Sequence, residues 1–125
     1  MKLEVRNLVK KFKGFTAVKN INFNINDGQT LGVLGPNGCG KTTTIGMLLG
    51  LIKPSNGEIL IDDENFENLN REKILSQFNF ASPYVELPKK LTVKENLEIY
   101  GRLYGVKDLI NRIHEISDDL NLGTF

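Results

Sequence analysis

Gly35-Pro36-Asn37-Gly38-Cys39-Gly40-Lys41-Thr42-Thr43 is the stretch on which the reading of this 125-residue chain turns. Its fixed positions read Gly-x4-Gly-Lys-Thr, a spacing that a chain this long meets by chance only about 0.4% of the time at ordinary Gly, Lys and Ser/Thr usage. The neighbouring residues agree with it. Thr30-Leu31-Gly32-Val33-Leu34 is a short apolar run, expected as a strand buried on both faces. After the loop, Ile45, Leu48, Leu49 and Ile52 recur at i, i+3, i+4 and i+7. That spacing predicts a helix from about Lys41 to Leu51, stopped by Pro54.

Strand, glycine loop and helix in that order suit one kind of ligand. Gly35, Gly38 and Gly40 carry no Cβ, so the backbone can curl and approach a bound group closely. The turn then aims several N–H groups at one point, at the positive end of the following helix, where an anion is favoured. Lys41 is expected to reach the β- and γ-phosphates of a nucleotide, and the Thr42 hydroxyl to ligand Mg²⁺. Pro36, Asn37, Cys39 and Thr43 complete the segment that would wrap the phosphate chain. The competing structural reading is a glycine-rich turn that caps a helix and leaves Lys41 in solvent. Cys39 sits beside the helix N-terminus and Lys41, both of which favour a thiolate. It reads either as a small filler or as a redox-sensitive position.

The bulk properties bound the rest. The length allows one domain at most, and 40% hydrophobic residues suffice for a core. A formal net charge of +1 gives no global field toward nucleic acid, so no nucleic-acid partner is expected. Lys10, Lys11 and Lys13 read as a solvated basic loop. With one cysteine no internal disulfide can form, which suits a reducing compartment. The most apolar window, Thr44 to Ile52, is too short to span a bilayer, and the alternating N-terminus is unlike a signal peptide.

Along the chain, Lys2 to Val9 alternates like a strand with one wet face. Phe12 to Phe15, with Gly14, reads as a turn. From Asn20 to Asn26 the alternation is strict, with Ile21, Phe23 and Ile25 on one side and four asparagines on the other. Asp27-Gly28 is a turn signal that predicts a hairpin between that strand and Gln29 to Leu34. Further strands are expected at Glu58 to Asp62 and around Phe78, Phe80 and Ala81, and an irregular loop from Pro83 to Lys90. Asn70 can cap a short helix over Arg71 to Leu75. Thr92-Val93-Lys94-Glu95 is a capping box opening a helix that Gly105 ends. A last helix is predicted from about Lys107 to Leu120, with Leu109, Ile113, Ile116 and Leu120 on one face. His114 reads as exposed and without a role.

Taken together, these residues resemble the N-terminal half of the ATP-binding cassette of ABC transporters. Leu8-Val9-Lys10-Lys11-Phe12, then Phe15-Thr16-Ala17-Val18, the glycine loop, Gly57-Glu58-Ile59 and Leu91-Thr92-Val93-Lys94-Glu95-Asn96-Leu97 all match recurring stretches. The resemblance implies an α/β fold, an incomplete P-loop NTPase (RecA-like) core with an antiparallel β subdomain at its N-terminus. Residues 1–125 would form the N-terminal part of a single ATP-binding domain. It places Phe12 where an aromatic ring stacks on adenine, Val18 near the ribose or base, and ATP with Mg²⁺ in the loop. Ser82 stands where the family has a metal-binding glutamine, so a serine hydroxyl would reach the metal only through water. The signature motif, an acidic strand end, the water-activating glutamate and the switch histidine do not occur in the 125 residues. The chain is therefore expected to bind ATP and to hydrolyse it negligibly alone, the complete protein being the ATPase.

The implied partners are a transmembrane permease subunit, met through the Tyr84 to Lys90 region and the following helix, and a second ATP-binding cassette in a homo- or heterodimer. The implied location is cytoplasmic, on the inner face of the cell membrane. The overall pattern is similar to ATPase subunits of bacterial exporters. Two other classes compete: a non-catalytic nucleotide-binding or regulatory remnant, and a soluble ABC protein acting on nucleic acid. A GTPase is disfavoured, since neither Asn-Lys-x-Asp nor Asp-x-x-Gly occurs.

Overall fold

Alternation of apolar and polar residues over the first 25 positions folds into two long strands, β1 (Leu3–Phe12) and β2 (Phe15–Ile25), joined at Lys13-Gly14. The computed structural model describes residues 1–82 and 86–123, with only the backbone of Arg71 and Glu72. It divides into two units, Met1–Phe78 and Asn79–Phe125, each described by itself.

In the first unit, β1 pairs with β2 and with β3 (Asn56–Ile61), and β3 with the two-residue β4 (Glu64–Asn65). All pairs are antiparallel, in the order β2-β1-β3-β4. Leu3, Val5 and Leu8 are all buried although the period of a strand is two. A bulge reconciles them: the register shifts after Val5, and Asn7 turns to φ 50°, a left-handed conformation that asparagine tolerates. The bulged N–H is not wasted, because Asn7 N donates to Asn22 Oδ1 at 2.7 Å from β2. The three asparagines of β2 and Asn26 just beyond it lie exposed, while Ile21, Phe23 and Ile25 pack on the core, as their alternation predicts. That core is Leu3, Val5, Leu8, Ala17, Val18, Met47 and Ile59.

Two expectations fail in this unit, for one reason. Residues 29–34 form no strand, and Leu31, Val33 and Leu34 are exposed, Leu34 at 94%. A strand holds only where a neighbour accepts its backbone groups, and β2 has its ladder with β1. The Asp27-Gly28 turn does form, with Gln29 N donating to Asn26 O at 3.1 Å, but no hairpin follows it.

The loop helix, α1 (Lys41–Leu48), is shorter than expected. Gly50, at φ 65°, closes it with the two bonds of a Schellman motif, Gly50 N to Met47 O and Leu51 N to Gly46 O. The stop is thus Gly50 rather than Pro54. The buried face is also rotated: Thr44, Gly46 and Met47 are buried, Leu48 and Ile52 pack partly, and Ile45 faces solvent. Helix α2 (Arg71–Leu75) has the predicted cap, Lys73 N donating to Asn70 Oδ1 at 3.1 Å.

The second unit holds α3 (Val93–Leu103) and α4 (Leu109–Asp119). The expected strand at Phe80 and Ala81 is irregular chain, and Phe80 N bonds locally to Asn79 Oδ1 instead. Pro83 and Tyr84, where the predicted irregular loop and the docking region begin, lie outside the described residues. Helix α3 opens with the predicted capping box. Thr92 Oγ1 accepts from Glu95 N at 3.2 Å, and Glu95 Oε2 accepts from Thr92 N at 2.7 Å. Gly105 ends α3 by the same two-bond motif, and Asn121, at φ 52°, ends α4 likewise. Buried Ile113 and partly buried Leu109 and Ile116 make the inner face of α4; Leu120 is exposed.

The capping box carries a pH signature. The Thr92 backbone N–H, and after it the Thr92 hydroxyl, hold the Glu95 carboxyl below its ordinary 4.5. A carboxylate lowered in the folded state stabilises the fold fully above its unfolded value, and the contribution disappears as pH falls through the lowered one. Helicity of α3 is therefore expected to be flat above about pH 5 and to decline below pH 4.5. In Glu95→Gln that acid-limb decline should shrink, measured by far-ultraviolet ellipticity against pH; an unchanged limb would remove Glu95 as its source.

Candidate phosphate-binding site

The glycine loop meets its helix through a residue that has no side chain to cap it. Gly40, at φ 96° and ψ 6°, is the N-cap of α1, and the first helical bond runs from Thr44 N to Gly40 O at 2.8 Å. The backbone N–H groups of Lys41, Thr42 and Thr43 precede that bond, and no side chain caps them. No acidic residue stands in the first turn of α1 to compete for its positive end. The structure thus brings the loop donors and helix terminus together as the sequence predicts.

Gly40 also fixes where the loop sits. A Cβ at this position would stand 2.3 Å from the carbonyl oxygen of Ala17 and 3.2 Å from Val18 Cγ2. The loop's end is therefore pressed against β2. Val18, expected near a ribose or base, is 97% buried, with its side chain in the core under Gly40. It supports the loop from below. Above Gly38 the space is open, since a Cβ there would meet nothing within 4 Å. A phosphate chain has room on that side.

Lys41 does not extend into solvent. Its Nζ donates to the carbonyl oxygens of Gly35 at 2.7 Å and Pro36 at 2.9 Å, and lies 3.8 Å from Cys39 Sγ. The loop is folded over its own lysine, so the ammonium already stands at the centre of the curl. Cys39 is exposed, and its N–H bonds to Pro36 O at 3.4 Å. Thr42 is exposed at the first turn. Asn37, Gly35 and Pro36 are exposed too, and Thr43 is half-buried.

The remaining predicted residues divide between the units. Phe12, at the end of β1, is 44% exposed, its ring 6.1 Å from that of Phe15. Ser82 is half-buried and lines an apolar groove of about 580 Å³ in the second unit, with Phe80, Leu97, Tyr100 and Ile113. A cavity of about 530 Å³ in the first unit, between α1 and β3, contains no residue of the glycine loop. The candidate site is thus an open cradle rather than a closed pocket. Among the described residues no group of three or more His, Cys, Asp and Glu could hold a metal ion. Magnesium keeps waters and binds through few protein groups plus phosphate oxygens, which is what a lone Thr42 hydroxyl beside a phosphate site offers. No described helix is long and apolar enough to cross a membrane.

One supporting position escapes a reading by residue type: Ala17 meets Gly40 through its backbone carbonyl, which no side-chain pattern reports.

Comparison with known proteins points to one family. A family model described as ABC transporter matches residues 18–125. The bacitracin transport ATP-binding protein BcrA of Bacillus licheniformis is 40% identical over 119 residues, covering 91% of this chain and 38% of that protein. The osmoprotectant import ATP-binding protein OsmV of Salmonella typhimurium is 36% identical over 108 residues, covering 82% of this chain and 28% of its own. A solved ABC transporter ATP-binding protein from Pyrococcus furiosus superposes with a TM-score of 0.75 at 30% identity, over 92% of this chain and 55% of that one. The chain spans less than two fifths of the length of these two curated relatives.

Proposed function

The chain belongs to the ABC transporter family, and on that premise we propose that its glycine loop holds Mg·ATP for the ATP-binding subunit of a transporter. The observation that supports this most is the geometry of the loop. Uncapped N–H groups stand at the N-terminus of α1, and Lys41 Nζ is folded back onto the same loop at the carbonyls of Gly35 and Pro36. The β- and γ-phosphates would exchange with the carbonyls of Gly35 and Pro36 for that ammonium, while the loop N–H groups and the positive end of α1 neutralise the remaining charge. Gly35 to Thr43 bind and orient the phosphate chain. Thr42 would be the direct magnesium ligand; the ion, when bound, draws charge from the phosphate oxygens. Phe12 offers a ring face for adenine, since stacking suits any base.

Transfer of the γ-phosphate to water further needs a group that positions the water. None of the site residues named above does this, so the 125 residues are assigned binding rather than turnover. In the complete assembly this chain would work with a second cassette and a membrane permease, coupling ATP binding and hydrolysis to transport at the inner membrane face. The relatives' names support that reading, one being a bacitracin transport protein and another an osmoprotectant import protein.

Calorimetric titration of the chain with ATP, AMP and Mg²⁺ tests it. ATP is expected to bind with Mg²⁺ present, AMP to bind far more weakly, and no phosphate release to follow. Equal affinity for AMP would place the recognition outside the phosphate loop, and steady turnover by the pure chain would show that its own residues complete the catalytic set.

A further inference from the structure

The Lys13-Gly14 turn brings together two aromatic residues that the sequence sets three apart. Phe12 closes β1, Phe15 opens β2, and the two are cross-strand partners. Their rings stack with centroids 6.1 Å apart and planes inclined by 18°. Neither ring is committed to the core: Phe12 is 44% exposed and Phe15 56%. Both rings therefore keep surface that a flat ligand at this end of the strand pair could meet.

The patch is placed beside the phosphate cradle. Ala17, whose carbonyl oxygen faces Gly40, lies two residues beyond Phe15 on the same strand, about 7 Å at the usual strand rise. The ammonium of Lys10 stands 5.1 Å from the Phe12 ring centroid and donates to the carbonyl of Lys53 at 2.7 Å. That cation is held by backbone, so it adds a fixed charge at the ring instead of a mobile one.

We propose that Phe15 is a positioning residue for the nucleotide base: it stacks on Phe12, fixes the tilt of that ring, and makes the platform for the purine a two-ring surface. The inference rests on the nucleotide site proposed above and deepens it. A single ring at a strand end must be ordered when a base settles on it, and that ordering opposes binding. A ring already stacked on a neighbour has been ordered by folding, so the base meets a prepared face. Phe15 acts on the base alone and has no part in holding phosphate.

The test separates those two parts of the ligand. The full chain and its Phe15→Leu and Phe15→Tyr variants are titrated with ATP and, separately, with inorganic tripolyphosphate. Phe15→Leu is expected to weaken ATP about fivefold, the scale of one aromatic pair, to leave tripolyphosphate unchanged, and Phe15→Tyr to restore the parent affinity. Because the chain has no tryptophan, Phe15→Trp supplies a single indole that can be excited apart from the tyrosines. Its fluorescence should respond to ATP and not to tripolyphosphate. Unchanged ATP affinity in Phe15→Leu, or an equal loss for both ligands, overturns the inference. A parent chain that binds tripolyphosphate as tightly as ATP has no base platform, which overturns the inference and leaves the phosphate site standing. A parent that binds neither overturns both.

Discussion

Lys41→Ala is expected to lower the affinity for ATP about a hundredfold while the chain remains folded. Charge-assisted hydrogen bonds contribute about 1.5–3 kcal/mol each, and a γ-phosphate can take one or two of them from a single ammonium. The unliganded lysine is already inside the curl, donating to Gly35 and Pro36 at 2.7 and 2.9 Å. Binding therefore exchanges two carbonyl partners for phosphate oxygens and orders little that was free. The loss should fall on the ligand and not on the fold, because those two carbonyls lie at exposed residues and water replaces the lysine there. Calorimetry with ATP and a thermal melt of the same sample distinguish the two. An unchanged ATP affinity would remove Lys41 from the site. A collapse of the melting transition would make the lysine a structural clamp of the loop.

What the sequence made legible was local. The loop, its helix, the Thr92-Glu95 capping box, the Asn70 cap, the Gly105 stop and the wet face of asparagines on β2 each follow from residues within one turn or one strand of each other. The apolar segment Thr30 to Leu34 shows the limit of that kind of inference. Its composition is that of a doubly buried strand, yet a strand is a relation between two segments, and no described segment lies alongside to accept its hydrogen bonds. The hairpin expected at Asp27-Gly28 fails with it, since a turn signal fixes a reversal of the chain and not which strands will pair. The bulge at Asn7 was hidden for a different reason. It shows only as a break in parity between Val5 and Leu8, and it is held by Asn22, fifteen residues away. Val18 likewise could not be placed from its residue type. An apolar side chain on an amphipathic strand can face inward or outward, and its burial beneath Gly40 shows only once the strand has folded.

Gly40→Ala is expected to be the most damaging single change in the cradle, and Gly38→Ala a mild one. Both positions are left-handed, at φ 96° and 81°, a conformation that costs an alanine about 1–2 kcal/mol. They differ in surroundings. At Gly38 the added methyl meets open space, so the conformational cost is the whole cost. At Gly40 it would lie 2.3 Å from the Ala17 carbonyl oxygen and 3.3 Å from the carbonyl carbon behind it. Backbone cannot rotate away as a side chain can. Ala17 and Val18 belong to the buried core, so β2 holds and the helix start has to lift. The total is about 3 kcal/mol or more once this displacement is added, and the lifted N-terminus no longer holds its N–H groups at the end of the loop. ATP affinity should fall below detection in Gly40→Ala, with a melting midpoint lowered by more than about 10 °C, a drop appropriate to a domain of this size. Gly38→Ala should keep measurable binding and lose no more than about half that shift. Equal behaviour of the two variants would mean that Gly40 does not rest on β2, and that the loop is positioned by its own turn alone.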